Sequence, residues 1–150
     1  MSDSNLLEQY KLYVEMSDRI GIRRQYANTF FLTINTAILA LIGYFKVRDS
    51  SLSELSTIIL IVPIAGILLC YTWWRMIKSY KTLNDAKFMV ILEMEKKLPF
   101  DPFEREWEIL GRGEDSKKHR PFTGIESRVP WIFGFLHLIV LIAYVHLKIC

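Results

Sequence analysis

No His-Glu-x-x-His, Cys-x-x-Cys or Gly-x-Ser-x-Gly pattern occurs in the 150 residues. Their absence removes the common zinc-hydrolase, dithiol and nucleophile-elbow chemistries. Carboxylates are missing from all three long apolar stretches, and no inverted repeat is visible. Both absences disfavour a proton-coupled carrier. Cysteine is scarce: Cys70 lies within the second stretch and Cys150 at the far end of the third, so the two are not expected to pair. A cleavable leader is not expected either, because 24 polar and charged-rich residues precede the first apolar run. Gly111-Arg112-Gly113 lacks the strand-loop-helix setting and the Lys-Ser/Thr of a phosphate loop. The sequence therefore offers no catalytic residue, no metal ligand set and no cofactor site.

What is present is segregated. Hydrophobic residues make up 51% of the chain and charged ones 23%. Gln25–Phe45, Leu55–Trp74 and Val129–Leu147 carry no Asp, Glu, Lys or Arg, and each is the length a spanning helix needs. The chain is organised around Ser53–Leu98, where the second span is expected to run on into an amphipathic helix. Met76, Tyr80, Leu83, Val90 and Met94 set its apolar line, at helical spacing. We expect an all-α integral membrane protein in one membrane domain. Residues 4–24 form an amphipathic cytoplasmic helix, 25–45 span one, 55–74 span two, 75–128 a helical cytoplasmic layer and 129–147 span three.

Charge sets the expected orientation. Of 19 Lys and Arg, Lys11, Arg19, Arg23 and Arg24 precede span one and twelve lie between Arg75 and Arg128. Only Lys46, Arg48 and Lys148 fall on the other side. This bias places the N-terminus and the 75–128 region inside, and the C-terminus outside. Trp73 and Trp74 end span two where Trp131 begins span three, putting three indoles at one interface. Glu93, Glu95, Glu104, Glu106 and Glu108 interrupt the basic residues, so nucleic acid is not an expected partner.

In chain order, Leu6, Tyr10, Tyr13, Val14, Ser17 and Ile20 share one face of the first helix, expected to pack on the 76–98 helix, the alternative being an interfacial helix on the inner leaflet. Span one divides into two arcs. Phe30, Phe31, Ile34, Ile38, Leu41 and Ile42 form the bulky one; Thr29, Thr33, Thr36, Ala37, Ala40 and Gly43 form the small one, with Asn28 and Asn35 beside it. Small residues permit close helix approach. Asn28, Thr29, Thr33, Asn35 and Thr36 are thus candidates either for helix packing or for lining a pore. Ser51–Glu54 and Thr123–Glu126 fit capping boxes. Pro63, Gly66 and Cys70 share a face of span two; Pro63 is expected to kink it.

Pro99 stops the long helix, and Asp101 with Pro102 starts a short one that ends at Gly111. Phe103, Trp107 and Leu110 line one side of it and are the packing candidates of the cytoplasmic layer. Lys117, Lys118, His119 and Arg120 form a basic cluster suited to solvent or anionic lipid. In span three, Pro130, Gly134, His137, Leu141 and Tyr144 share one face. His137 is the ionisable side chain well inside a span, either a functional candidate on that ground or a neutral imidazole hydrogen-bonded to a neighbouring helix.

The segments YANTFFLTINTAILALIG, WWRMIKSYKTLNDAKFMVILEMEKKLPFDPFEREWEILGRG and RPFTGIESRVPWIF resemble the RipA family of small bacterial inner-membrane proteins. The resemblance covers about Tyr10 to Phe135. It implies a bacterial cytoplasmic-membrane protein assembled as an octamer, with no enzymatic chemistry to carry over. Members are connected with growth inside host cells. A looser likeness is to SLATT domains, two-span effectors with a long cytoplasmic helix proposed to form pores; the third span departs from that pattern. The expected function is a non-enzymatic homo-oligomeric assembly in contact with membrane lipid, with a channel as its concrete form. The alternative is a scaffold whose cytoplasmic layer recruits an unidentified protein partner.

The topology is directly testable. An impermeant thiol reagent should label Cys150 in intact cells stripped of any outer barrier. Ser116→Cys should stay protected until the membrane is opened, and the reverse pattern would contradict the charge argument.

Overall fold

The computed structural model describes residues 3–48, 56–114 and 122–149. The Ser51–Glu54 capping box, the Lys117–Arg120 cluster and Cys150 lie outside the described residues. Within them the chain is helix and turn, with no strand: α1 (Asp3–Arg48), α2 (Ser56–Glu95), α3 (Pro102–Ile109), a 3₁₀ turn at Gly111–Gly113, α4 (Phe122–Glu126) and α5 (Val129–Ile149). Three of these helices are long and apolar enough to cross a membrane. The most apolar windows of α1, α2 and α5 are 11%, 28% and 11% buried within the chain, so α2 is the most enclosed element.

The amphipathic segment and span one form a single helix, α1, of 46 residues. Nothing in the sequence between them breaks it, and a side chain at Gly21 would meet open space. α2 continues through Pro63 for 40 residues. It stops at Glu95, short of the expected Leu98. There the backbone tightens, Lys97 N–H donating to Met94 O at 3.1 Å and Leu98 N–H to Glu95 O at 2.8 Å. α4 begins one residue ahead of Thr123, the residue expected to cap it, whose side chain lies outside the described residues.

The chain divides into two compact units, Met1–Gln25 with Lys78–Ile125, and Tyr26–Ile77 with Glu126–Cys150; α1 and α2 contribute to both. In the first unit Leu6, Ser17 and Ile20 of α1 are buried, with Tyr10, Tyr13 and Val14 half-buried. The expected line of α2 holds in part: Met76, Tyr80 and Met94 are half-buried, but the most buried positions run one residue on from Leu83, Val90 and Met94. Ile91 and Glu95 are buried and Asn84 and Phe88 half-buried, whereas Leu83 is 49% and Val90 36% exposed. Polar pairing explains the offset. Ser17 Oγ donates to Asn84 Oδ1 at 3.2 Å, Tyr10 OH donates to Glu95 Oε1 at 2.7 Å, and Lys87 Nζ lies 4.9 Å from the Tyr13 ring centroid. Buried polar groups must find partners, and here the partners lie on the opposing helix.

Glu95 also starts α3. Asp101 was the expected cap, yet its side chain makes no capping bond. Instead the Glu95 carboxylate accepts from Phe103 N–H at 3.1 Å and Glu104 N–H at 3.2 Å, the free amides behind Pro102. An anion at a helix N-terminus is favoured by the helix dipole as well. Phe103 packs edge-to-face on Phe88, centroids 5.5 Å apart. At the far end Gly111 (φ 72°) and Arg112 (φ 51°) turn into the left-handed region. Arg112 reaches Glu104 at 2.8 Å and Glu108 at 3.0 Å, while Arg105 reaches Glu108 at 3.0 Å. Hydrogen bonds from Arg105 and then Arg112 hold the Glu108 carboxyl below its ordinary value. That contribution is present above the unfolded pKa and is lost as pH falls through the folded one.

In the second unit the buried line of α2 is Pro63, Gly66, Cys70, Trp73 and Ile77, spaced three, four, three and four. Phe31 and Asn35 of α1, and Pro130 and His137 of α5, are buried too. Phe31 stacks on Trp73 (centroids 5.8 Å, planes 8° apart), and Phe133 adds to the pair at 6.2 Å. Trp73 is therefore a core residue, 3% exposed, with its ring covered by the neighbouring helices. Trp74 and Trp131 do meet, edge to face at 5.6 Å.

The Glu95 tie can be tested at both ends. Glu95→Ala strands two helix-start amides and the Tyr10 hydroxyl, an expected cost of about 2–3 kcal/mol. Thermal melts of the purified protein and amide exchange of α3 measure it. Burial, then the hydrogen bond to Glu95 and its charge, raise the Tyr10 phenol well above its ordinary value. Its contribution is full below the unfolded phenol pKa and is lost as pH rises past it. Melting temperature should fall in alkali, with a shallower slope in Tyr10→Phe.

Candidate functional site

Cys70 of α2 and His137 of α5 converge on the amide of Asn35. Asn35 is fully buried, and its Nδ2 donates to Phe31 O one turn back at 2.8 Å. That bond fixes the amide, leaving Oδ1 to accept twice. The Cys70 thiol of α2 donates to it at 3.2 Å, and His137 Nε2 of α5 lies 3.0 Å away. With Oδ1 as acceptor, Nε2 carries the proton and His137 Nδ1 is left as an acceptor. Nδ1 is buried and has no hydrogen-bond partner among the described residues. One amide oxygen thus joins all three long helices.

Gly66 makes room for the imidazole. A Cβ at position 66 would fall 2.5 Å from His137 Cε1 and Nε2 and 2.6 Å from Nδ1, distances no packed side chain tolerates. The α2 backbone itself is the surface on which the ring lies. Gly134 serves the same pair of helices more loosely, its would-be Cβ 3.7 Å from Cys70 Cβ. Nearby, Trp73 Nε1 donates to Asn28 Oδ1 at 2.8 Å, satisfying an indole N–H that burial would otherwise strand.

Asn28 and Asn35 are therefore inside the unit, and both are tied to other helices. Thr29, Thr33 and Thr36 are exposed, on the opposite side of α1 from Phe31 and Asn35. Thr36 Oγ1 returns its hydrogen bond to Leu32 O at 2.8 Å. Ala37, Ala40 and Gly43 extend that exposed side. His137 is brought to Asn35, as no spacing argument foretold. In the other unit, Phe103 packs on Phe88, Leu110 is half-buried and Trp107 is 40% exposed. Sequence reasoning missed Glu95 and Cys70 as polar ties. A buried carboxylate in a long helix looks like any solvated acid until its partner is known.

Chemically, the Asn35 centre is a buried set of hydrogen bonds in which the amide is fully used and His137 Nδ1 is the one acceptor left without a partner among the described residues. No group of three or more His, Cys, Asp or Glu side chains able to hold a metal ion occurs among the described residues. The arrangement of three apolar helices can be compared with known proteins. A family model described as the octameric membrane protein family (8xMP) matches residues 7–146. The chain belongs to this family. Membership makes it a multi-pass membrane protein and a subunit of an oligomeric membrane assembly, in line with the octamer in the family's name. No curated protein and no solved structure matches the chain.

For this 8xMP chain the contact of Gly66 with His137 yields a coupled prediction. Gly66→Ala should lower the melting temperature of the purified protein by displacing the ring. In a His137→Ala background the same change should cost less, with a coupling of about 0.5–3 kcal/mol. Independent, additive effects would show that the ring does not rest on Gly66.

Proposed function

We propose that this protein is a non-enzymatic, ion-conducting homo-octamer of the bacterial cytoplasmic membrane, in which α1 faces the ring axis. The single observation that carries this reading is the exposed threonine side of α1. Thr29, Thr33 and Thr36, with Ala37, Ala40 and Gly43, form a small, polar surface that no other described residue covers. Hydroxyl groups and bare backbone are poorly suited to acyl chains, so such a surface is better placed against water or a neighbouring copy. In a closed ring one helix of each subunit can line the axis, and α1 is the most polar of the three spans. Asn28 and Asn35 play no lining role in this reading, because their amides are already engaged in packing. The likeness to RipA-type proteins, the inward N-terminus and the outward C-terminus belong to the same proposal, resting on segment order and on the Lys/Arg bias.

A scaffold is the second reading, favoured by the exposed apolar residues of the other unit. Phe100 is 64%, Ile109 63% and Trp107 40% exposed. In that reading they meet a partner protein and the axis is closed.

Flux measurement separates the two. Wild-type octamers in liposomes should pass monovalent ions, and Thr33→Leu should cut the flux severalfold while the octamer stays intact on sizing. Intact wild-type rings that pass no ions across a range of pH and voltage would remove the channel and leave the scaffold.

A further inference from the structure

A second feature of the spanning unit is independent of the axis. A groove of about 420 Å³ lies between α2 and α5, lined by Ile67, Cys70, Tyr71, Trp74, Gly134 and Leu138 among others. Its floor is the close approach of Gly134 to Cys70, where two small residues leave the helices without side-chain filling. Pro130 and Trp131 bring the start of α5 to one end of it. At that end Trp74 and Trp131 meet edge to face at 5.6 Å, the pairing expected of indoles at a headgroup boundary.

Charge is placed at the same end. Arg75 follows Trp74 directly on α2, and Arg128 lies one turn ahead of Trp131. Both are exposed. Neither takes part in an ion pair among the described residues, whereas Arg19, Arg105 and Arg112 all do. The groove lining carries no acid, and Glu126, two residues before Arg128, is the nearest one in sequence. The combination is an apolar slot sized for hydrocarbon, an aromatic pair at its mouth, and two exposed guanidiniums that form no ion pair among the described residues.

We propose that this groove binds one anionic phospholipid, an acyl chain lying along Ile67, Cys70, Gly134 and Leu138. The phosphate is held beside Trp74 and Trp131 by Arg75 and Arg128. Guanidinium suits this task because its planar fork can donate two hydrogen bonds to one phosphate. Basic pockets between spanning helices select anionic headgroups on the same grounds. A zwitterionic lipid offers the same chain, but its own cation opposes the two arginines. The proposal concerns lipid selection by the subunit and does not depend on whether the octamer conducts.

Native mass spectrometry of the full-length protein, extracted in mild detergent and titrated with phosphatidylglycerol or phosphatidylcholine, tests it. Wild-type subunits should retain phosphatidylglycerol in preference. Arg75→Gln and Arg128→Gln should each reduce that preference by about fivefold, while leaving phosphatidylcholine retention unchanged. Arg75→Lys and Arg128→Lys should keep most of it. Leu138→Trp, a change at a 41% exposed position, should fill the slot and lower retention of both lipids with the octamer intact. Equal retention of the two lipids by the wild type would overturn the proposal, as would a preference untouched by both glutamine variants. So would Leu138→Trp dissolving an octamer that retains no lipid, which would assign the groove to a neighbouring copy.

Discussion

The spanning unit depends on a rule that operates hardest in hydrocarbon: a polar atom must be bonded to something. Asn35 is the residue through which three helices obey it. Its amide nitrogen is used within α1, and its oxygen receives one donor from α2 and one from α5. Apolar side chains do not favour one rotation of a helix strongly over another when the surroundings are equally apolar. A hydrogen bond does, because its loss leaves a buried group unpaired. The register of α1, α2 and α5 is thus fixed by polar atoms, and Phe31, Trp73 and Phe133 fill the space that this register leaves.

The other unit follows the same logic with a charge. Glu95 accepts from Tyr10 of α1 and from two amides of α3, so one carboxylate is shared by three helices. α3 has eight residues, too few to hold together on its own. Its stability is borrowed from the end of α2, through that carboxylate and the contact of Phe103 with Phe88. The two units therefore share a principle and not a residue: in each, small apolar contacts surround one polar hub.

Much of this was legible in the sequence. The three spans followed from length and the absence of charge, and the inward face of the first 24 residues from the spacing of Leu6, Tyr10, Ser17 and Ile20. Pro130, Gly134 and His137 were correctly placed on one face, as were Pro63, Gly66 and Cys70. The errors have a common origin. Of the apolar line Met76, Tyr80, Leu83, Val90 and Met94, Leu83 and Val90 are exposed, and the most buried positions beside them are Ile91 and Glu95, with Asn84 half-buried. Cap rules look at neighbours in sequence and so point to Asp101, whereas the acceptor, Glu95, lies six residues upstream on another helix. The burial of Trp73 is not legible in composition, because its partner Asn28 lies 45 residues away. Periodicity finds faces; it does not reveal which polar residues have distant partners.

The tie between Tyr10 and Glu95 has a consequence for biosynthesis. The two are separated by 85 positions, and the two amides capped by Glu95 belong to residues made later still. During translation the N-terminal segment emerges first and cannot close its polar face until the end of α2 has been made. Its phenol and the Ser17 hydroxyl spend that interval in water, where they are content. A purely apolar stripe of the same length would instead seek other surfaces while it waited. The polar atoms along this seam thus suit a nascent chain whose first helix must wait for α2.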